Sequence, residues 1–199
     1  MDNFQKLEIK QKIIDSTIEI IEREGFDAIS IRKVASLSNY TAGNIYQYFE
    51  NKEHLIREVV KYGYMKIIKS ISLNLNEFDC VEEKIKKIFF SYIKTALSMS
   101  EYYKAVMLSE DNEVLDVTSV LNNDLNKKQK AITLLEELIQ LGIEKGEFKE
   151  CDNKQIAKVI WTSIFGLIVR LIIENQKNEL IVNSLIEANF DLLFSGLKK

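Results

Sequence analysis

The sequence contains no proline and only 7 glycines among its 199 residues. Proline breaks helix interiors and glycine weakens them, so their scarcity favours long, uninterrupted helices. No stretch alternates apolar and polar residues as a half-buried β-strand does, and no segment is repeated. The sequence therefore predicts an all-α fold, and 199 residues are enough to bury a sizeable hydrophobic core.

Cysteine and histidine are almost as scarce. The two cysteines, Cys80 and Cys151, lie far apart without Cys-x-x-Cys or Cys/His spacing, and His54 is the only histidine. These counts argue against a disulfide framework and against a zinc site. The sequence also lacks a Ser/His/Asp or Cys/His constellation and a glycine-rich phosphate loop. We therefore expect no catalytic residues, no metal and no cofactor, although an enzyme stays a rival class of function.

Long hydrophobic runs and a targeting segment are missing too. The longest uncharged apolar run, residues 159–169, lies between Lys158 and Arg170 and is shorter than the ~20 residues that a membrane span needs. The N-terminal sequence, Met-Asp-Asn-Phe-Gln-Lys, lacks the basic and apolar regions of a signal peptide. We expect a cytoplasmic protein without a membrane partner, in which residues 159–169 belong to a buried core helix.

The formal net charge is only −3, which argues against wholesale nonspecific binding to nucleic acid. The charge is uneven, however, because residues 30–69 contain seven Lys or Arg residues and only three Glu residues. A basic segment of this kind can supply the phosphate contacts of a DNA-binding protein. A solvated helix face is the alternative interpretation, and charge alone does not decide between the two.

The sequence from residue 30 to residue 55 predicts two short helices joined by a tight turn and followed by a third helix. Ser30 and Thr41 are suited to cap the first two helices, and Asn51 is suited to cap the third. Asn39 can take the left-handed conformation that ends the first of them. This arrangement is typical of a helix-turn-helix, whose second helix enters a DNA major groove.

The same region contains a set of residues at characteristic spacings: Gly25-Phe26, Ala28-Ile29-Ser30, Val34-Ala35, Gly43, Ile45, Tyr46-x-Tyr48-Phe49 and Lys52-Glu53-x-Leu55. This set resembles the N-terminal DNA-binding domain of the tetracycline-repressor (TetR/AcrR) family of bacterial transcriptional regulators. The resemblance covers roughly residues 10–60, and Asn39 stands where the family commonly has glycine. Beyond residue 60 the resemblance concerns architecture alone.

The resemblance implies a division of the chain into two domains. It implies an N-terminal three-helix helix-turn-helix domain at residues 1–51 and a larger C-terminal helical ligand-binding and dimerisation domain at residues 52–199. A linker helix at about residues 52–72 would connect the two. Apolar periodicity places the first helix at residues 7–24, and polar residues at 74–80 indicate a boundary loop.

The remaining helices follow from the same periodicity and are predicted at residues 81–99, 101–109, 119–144, 153–174 and 178–197. Gly142 and Gly146 are predicted to end the helix at 119–144, because glycine is common just beyond a helix C-terminus.

The predicted recognition helix has Ile45 and Phe49 as its buried anchors. Asn44 and Gln47 can each pair with an adenine edge, and Tyr46 can reach a phosphate. The alternative is that the aromatic residues are merely core residues, which is the favoured interpretation of Phe49. The resemblance adds contacts from the preceding helix and from the start of the linker helix. The predicted DNA-binding residues are Arg32, Thr41, Ala42, Asn44, Tyr46, Gln47, Tyr48 and Lys52.

Aromatic residues and methionines recur at helical spacings in the C-terminal part of the chain. Taken singly, each is more simply a core residue. Because the resemblance implies a C-terminal domain that binds small molecules, together they suit a mostly apolar pocket. The predicted ligand-binding residues are Tyr62, Phe89, Tyr92, Ile93, Tyr103, Met107, Leu134, Trp161 and Phe165.

The last two predicted helices are apolar on more than one stripe, which a helix with one solvent-facing side does not need. Both stripes can be covered inside one subunit. The resemblance instead implies that these helices pair with their symmetry mates in a four-helix bundle, and Gly166 would allow a close approach.

Residues and resemblance together predict a ligand-responsive DNA-binding transcriptional regulator. We expect a repressor that binds palindromic double-stranded operator DNA as a homodimer through its last two helices. A small, mostly apolar effector would release it. The alternative is a helical protein–protein interaction module without DNA binding, which a mobility-shift assay on duplex DNA would distinguish.

Overall fold

The computed structural model describes residues 3–69, 80–108, 115, 118–119, 121 and 130–198. The described residues form helices, whose bounds are α1 Asn3–Glu24, a 3-10 turn Phe26–Ala28, α2 Ile31–Ser38, α3 Ala42–Tyr46, α4 Lys52–Lys69, α5 Val81–Ser98, α6 Ser100–Met107, α7 Lys130–Glu144, α8 Asn153–Ile173 and α9 Glu179–Ser195. Among these residues the β-type pairing is limited to one isolated bridge, between Phe148 and Lys198. The all-α prediction is confirmed.

Most predicted helix bounds agree with the structure to within a few residues. The first helix begins at Asn3 rather than at residue 7. The predicted helix at 119–144 is described from Lys130 onward. Residues 120 and 122–129 lie outside the described part of the chain, as do the end of the linker helix at 70–72, most of the boundary loop at 74–79, and Ser109.

The chain divides into two compact units. Unit 1 comprises residues 1–66 and 99–118, and unit 2 comprises residues 67–98 and 119–199. The helix α4 contributes residues 52–66 to unit 1 and residues 67–69 to unit 2. The functional boundary between residues 51 and 52 stays a prediction.

The core of unit 1 forms around α1. The isoleucines Ile13, Ile14, Ile18 and Ile21 recur at three- and four-residue spacings and are all buried, as expected for the apolar face of an amphipathic helix. The helix ends at Gly25, whose φ of 84° suits glycine. This face packs against α2, the 3-10 turn and α6. The helix-turn-helix therefore rests on a shared core.

Unit 1 also contains a close approach between α4 and α6. The Tyr102 ring of α6 lies so near Gly63 of α4 that a Cβ there would be 2.2 Å from Tyr102 Cζ. The Tyr102 hydroxyl donates hydrogen bonds to the carbonyl oxygens of Val59, at 3.0 Å, and of Val60. Burial raises the pKa of this phenol. A side chain at position 63 would displace the ring from its hydrogen bonds.

The start of α6 is held by a carboxylate. Glu22 Oε1 accepts a hydrogen bond from the Tyr102 backbone N–H at 3.0 Å. Partial burial of Glu22 raises its pKa, against the lowering effect of this hydrogen bond. Together with the Tyr102 hydroxyl, this contact ties α6 to both α1 and α4.

The core of unit 2 forms where α5, α7 and α8 pack together. Phe89, Tyr92 and Trp161 are nearly fully buried there. The Trp161 ring centroid lies 5.9 Å from that of Phe89 and 5.4 Å from that of Tyr92. Aromatic rings at such separations interact favourably beyond the area that they bury. The helix α9 packs against α8 and α5.

Two glycines were predicted to end the helix α7, and the prediction is right for Gly146 and wrong for Gly142. The helix α7 ends at Glu144, and Gly146 follows with a φ of 74°, as predicted for a terminating glycine. Gly142, however, lies inside α7. A Cβ at this position would be 2.2 Å from Cδ2 of Phe148, whose buried ring packs against the helix backbone. Gly142 is therefore required by packing and does not end the helix.

The helix α8 is long and apolar enough to cross a membrane by length and composition alone. In unit 2 it is instead a core helix, since Ile160, Ile164 and Ile168 are at most 1% exposed. Its other face is uncovered in this single chain, because Val159 and Ile173 are 49% and 59% exposed. The helix thus has two apolar faces and one of them is solvent-accessible here.

Candidate functional site

The two turns of the helix-turn-helix adopt the predicted backbone conformations. Ser30 Oγ accepts a hydrogen bond from the Lys33 N–H at 3.2 Å at the start of α2. Asn39 ends α2 with φ 60° and ψ 37°, a left-handed conformation that asparagine tolerates better than most residues. The Tyr40 N–H donates to the Ala35 carbonyl at 3.0 Å. Asparagine thus supplies the turn that the family commonly makes with glycine.

A reciprocal capping box begins the recognition helix α3. Thr41 Oγ1 accepts from the Asn44 N–H at 3.2 Å, while Asn44 Oδ1 accepts from the Thr41 N–H at 3.1 Å and from the Thr41 hydroxyl at 2.7 Å. A bidentate contact with adenine needs both the oxygen and the nitrogen of the amide. With the capping box intact, Asn44 has its Nδ2 group to offer a base. Base reading by Asn44 stays a prediction.

The buried anchors and the predicted contact residues separate as expected, although α3 ends at Tyr46, and Gln47, Tyr48 and Phe49 lie in the turn that follows it. Ile45 and Phe49 are fully buried, so Phe49 is a core residue. Tyr46 is 53% exposed. Four of the other predicted DNA-binding residues are exposed: Arg32, Thr41, Ala42 and Gln47. The remaining three, Asn44, Tyr48 and Lys52, are half-buried. Their contacts with DNA stay predictions.

The turn after α3 is held by the predicted cap Asn51 and by His54, for which the sequence analysis predicted no structural role. Asn51 Oδ1 accepts from the His54 N–H at 2.7 Å, and His54 Nδ1 accepts from the Glu50 N–H at 3.2 Å. The His54 ring also meets Phe49 edge-on, with the ring centroids 5.9 Å apart. The first bond confirms Asn51 as a cap. His54 therefore links the end of α3 to the first turn of α4.

An ion pair braces the same turn from α1. Lys10 Nζ lies 2.6 Å from Glu58 Oε2 of α4 and 5.7 Å from the centre of the Phe49 ring. The hydrogen bond from Lys10 is the main cause that lowers the pKa of Glu58. Lys10 thus contacts both the recognition-helix anchor and the linker helix.

Part of the basic segment is neutralised within the chain. Lys33 Nζ lies 2.6 Å from Glu24 Oε2, and Lys61 Nζ lies 3.9 Å from Glu58 Oε1. Exposed pairs of this kind contribute little to stability. They do reduce the local positive charge, so Lys33 and Lys61 are weaker phosphate candidates than Arg32 and Lys52.

Unit 2 contains an apolar cleft among α5, α7 and α8. The residues that line it carry no charged or hydrogen-bonding group except the indole of the tryptophan, and they are Ile85, Ile88, Phe89, Ala131, Leu134, Leu135, Leu138 and Trp161. Its free volume is about 10 Å³, which is about the room that one water molecule needs. The cleft is closed in this conformation.

The structure brings some of the predicted ligand-binding residues together. Phe89, Leu134 and Trp161 line the cleft, and the Tyr92 ring packs against Trp161. The remaining predicted residues do not line it: Ile93 is fully buried, Phe165 is half-buried on α8, and Tyr62, Tyr103 and Met107 belong to unit 1. A ligand-binding role for these nine residues stays a prediction.

Metal ligands are not clustered in the part of the chain that the structure describes, where no three His, Cys, Asp or Glu side chains could jointly hold an ion.

Residues 13–59 match the family described as bacterial regulatory proteins, tetR family. This match spans α2, α3 and the caps and anchors described above. The chain belongs to the TetR family. As a TetR-family member it is a ligand-responsive DNA-binding transcriptional regulator, and the interpretation as a protein–protein module without DNA binding is not favoured.

Relatives in this family match nearly the whole chain. The chain is 26% identical to the fatty acid metabolism regulator protein of Bacillus subtilis over 97% of both chains. It is 24% identical to the HTH-type transcriptional regulator QacR of Staphylococcus aureus, over 97% of this chain and 100% of QacR. Both similarities extend along almost the whole chain.

Solved structures show the same fold. The fatty acid degradation regulator FadR from Bacillus halodurans has a TM-score of 0.73 at 24% identity, covering 92% of this chain and 93% of its own. FadR from Bacillus subtilis in complex with stearoyl-CoA has a TM-score of 0.66 at 22% identity, covering 94% and 98%. TetR-family regulators bind operator DNA and small-molecule effectors, and the Bacillus subtilis FadR structure contains bound stearoyl-CoA.

The last two helices of this TetR-family chain present an exposed apolar stripe. Its members are at least 44% exposed, and they are Val159 and Ile173 of α8 and Ile181, Leu185 and Leu192 of α9. Gly166 of α8 has no neighbouring atom within 4 Å of a Cβ built on it. Large apolar side chains that are exposed at several positions of neighbouring helices commonly mark an association site.

Proposed function

We propose that this TetR-family regulator is a non-enzymatic, cytoplasmic repressor that binds a palindromic operator as a homodimer and is released by a long-chain fatty acyl-CoA. The observation that supports it most is the likeness to the fatty acid metabolism regulator of Bacillus subtilis over 97% of both chains. The apolar cleft and the exposed stripe of α8 and α9 add support from this chain itself.

The lining of the cleft suits an acyl chain. Its aliphatic and aromatic side chains offer dispersion contacts and almost no hydrogen-bonding groups, and burying each methylene of a ligand is favourable by ~0.8 kcal/mol. A polar ligand would lose its hydrogen bonds to water there without replacement. Chain length should therefore matter more to affinity than the polar head group does.

The closed cleft supports an effector mechanism. Because its free volume is about 10 Å³, an acyl chain must separate the side chains of α5, α7 and α8 before it can enter. A ligand changes operator affinity only through its different affinities for the two conformations. The linker helix α4 contributes residues to both units, so it is a covalent route by which the change can reach Lys52.

The exposed stripe supports a two-fold dimer. A homodimer would cover Leu185, Leu192 and their neighbours on both copies at once. It would also present two recognition helices to half-sites ~34 to 36 Å apart in the major groove. The double variant Leu185→Lys with Leu192→Lys should sediment as a folded monomer that binds operator poorly. Leu7→Lys, a change of another exposed leucine on α1, should stay dimeric.

The effector is tested on the operator itself. Duplex sites are selected from a random library with the purified protein, and fluorescence anisotropy then follows their release. Stearoyl-CoA should release the operator at low concentration, acetyl-CoA and free CoA should not, and the response should rise with chain length. Leu134→Gln, which places an amide in the cleft, should weaken this response, while its half-buried neighbour Thr133→Gln should not.

The outcomes separate the parts of the proposal. If the protein selects a duplex site and no acyl-CoA releases it, the assignment of acyl-CoA as the effector is wrong, while the assignment as a DNA-binding repressor still holds. A protein that selects no duplex sequence would overturn the DNA-binding assignment for this chain.

A further inference from the structure

The only histidine of the chain lies at the turn between the recognition helix and the linker helix. His54 is the third residue after the Asn51 cap, and its Nδ1 accepts the hydrogen bond of the Glu50 N–H at 3.2 Å. In a capping box, a glutamate or glutamine at this third position accepts the backbone N–H of the cap residue itself. Here an imidazole occupies the position, and it accepts the N–H of Glu50, the residue before the cap.

The direction of this hydrogen bond fixes the protonation state of the ring. A nitrogen that accepts from an N–H must carry its lone pair, so the proton of the neutral imidazole resides on Nε2. In the imidazolium both nitrogens are donors, and Nδ1 would then face the Glu50 N–H as a second donor. Protonation therefore removes the bond and opposes two donors to each other.

The bond belongs to the segment that orients the DNA-facing groups. Glu50 directly follows Phe49, the fully buried residue of the turn after α3, and the His54 ring packs edge-on against Phe49. Lys52, a predicted phosphate contact, lies between the two bonded residues. Loss of the bond would loosen the turn that sets the angle between α3 and α4.

We propose that His54 is a positioning residue of the DNA interface, which holds the turn between α3 and α4 only in its neutral form, so that operator binding weakens in acid. The proposal rests on the proposed DNA-binding function. It adds a sensitivity to pH within the range of about pH 5 to 8, where imidazoles take up their second proton.

The charged groups near the ring are three carboxylates and one lysine. Glu58 lies one turn further along α4, and Glu50 and Glu53 flank the cap in sequence. Lys10 forms an ion pair with Glu58 at 2.6 Å.

A direct contact of His54 with DNA would predict the opposite change of operator affinity with pH. An imidazolium that contacted a DNA phosphate directly would strengthen operator binding as the pH falls. The sign of the pH dependence, compared with a variant that cannot titrate, therefore distinguishes a positioning residue from a phosphate contact.

The test compares wild-type protein with His54→Gln, whose amide oxygen can accept the Glu50 N–H at any pH. Operator affinity is measured by anisotropy from about pH 8 to about pH 5.5 at constant ionic strength. The wild-type affinity should fall relative to His54→Gln by roughly five-fold per protomer as the pH falls, the equivalent of one hydrogen bond. His54→Ala, if it folds, should bind weakly at every pH.

A second measurement needs no DNA. Because the chain has one histidine, a long-range ¹H–¹⁵N spectrum reports its tautomer without assignment. At about pH 8 the proton should reside on Nε2, and acid should shift the Glu50 amide in wild type but not in His54→Gln.

Three results would overturn the proposal: a proton on Nδ1, an affinity ratio that is constant with pH, or a ratio that rises in acid. In each case a protein that still binds its operator leaves the proposed function intact. Absence of operator binding at every pH would instead overturn both.

Discussion

The hydrogen bonds that cap the helices of the helix-turn-helix join residues three or four positions apart, as in Ser30 with Lys33 and Thr41 with Asn44. The cleft of unit 2 instead gathers side chains from residue 85 to residue 161. Local sequence therefore specifies the backbone of the DNA-facing turn, while only tertiary packing creates the cleft. We expect substitutions in packed positions to affect stability strongly, and substitutions in the capped segment to affect DNA binding more than stability.

The largest effect should come from Trp161→Ala. The side chain is 3% exposed and packs against two aromatic rings, so its removal leaves a cavity and should lower the free energy of unfolding by ~3 to 5 kcal/mol. Urea denaturation measures the change. Lys154→Ala on the exposed start of the same helix should alter it by less than ~0.5 kcal/mol. Similar losses for the two would contradict the tertiary origin of the cleft.

Gly63→Ala should cause the next largest loss of stability. The added Cβ would meet the Tyr102 ring at 2.2 Å, and overpacking of this kind destabilises by ~1 to 3 kcal/mol. The control is Gly43→Ala in α3, where the nearest atom to an added Cβ is Thr41 Oγ1 at 3.7 Å. That change should be neutral or stabilising by up to ~1 kcal/mol. Equal effects in urea denaturation would count against the close contact of α4 with α6.

Gln47 and Lys52 should separate base reading from phosphate contact. Gln47→Ala should weaken the cognate site by ~1 to 3 kcal/mol and leave random DNA unaffected. Lys52→Ala should weaken both and reduce the salt slope by about one unit per half-site. Neither should change the free energy of unfolding by more than ~0.5 kcal/mol. Anisotropy titrations at several salt concentrations measure both effects, and equal losses on the two DNAs for Gln47→Ala would exclude base reading.

Thr41→Ala should lower the free energy of unfolding by only ~1 kcal/mol, because it removes one helix cap. It also releases Asn44 Oδ1 from the Thr41 hydroxyl, so the preference of the protein at an adenine position should change as well. Thr41→Ser keeps a hydroxyl and should retain both properties. A serine variant that resembles the alanine variant would show that the Thr41 methyl, rather than the cap, is responsible.

Glu58→Gln should have the smallest effect, ~0.2 to 1 kcal/mol, since the ion pair with Lys10 is partly exposed. The pKa of Glu58 is lowered in the folded protein, so the folded state binds its proton less tightly than the unfolded state. The contribution is therefore present above the ordinary glutamate pKa and is lost as the pH falls through the lowered one. Stability of wild type and variant should converge in acid, and a constant difference would contradict the pairing.

Local features of the backbone could be predicted from the sequence, whereas features that depend on tertiary packing could not. The roles of Ser30, Asn39 and Asn51 were predictable because a cap depends on residues within one helical turn. Gly63 and Gly142 were not, because each makes room for an aromatic ring whose approach depends on the tertiary fold.

Some of the nine predicted ligand-binding residues line the cleft, and others do not. The resemblance and the helical spacing of apolar residues together suggested Phe89, Leu134 and Trp161, which do line the cleft. They also suggested Tyr62 and Tyr103, which belong to unit 1. Spacing along a helix indicates which face is apolar, but it does not indicate which apolar faces meet. His54 carried a local signal, its position three residues after the Asn51 cap, although histidine is uncommon in that role.

In the proposed mechanism, the nearly filled cleft also sets the effector concentration at which the protein responds. If the open form is a minor fraction of the population, the apparent dissociation constant of a ligand equals its intrinsic value divided by that fraction. Small residues such as Ala131 at the cleft wall, if enlarged, would favour the closed form and raise the response threshold, whereas residues that open the wall would lower it. Packing density, rather than any contact with the ligand, would then determine the sensitivity of the sensor.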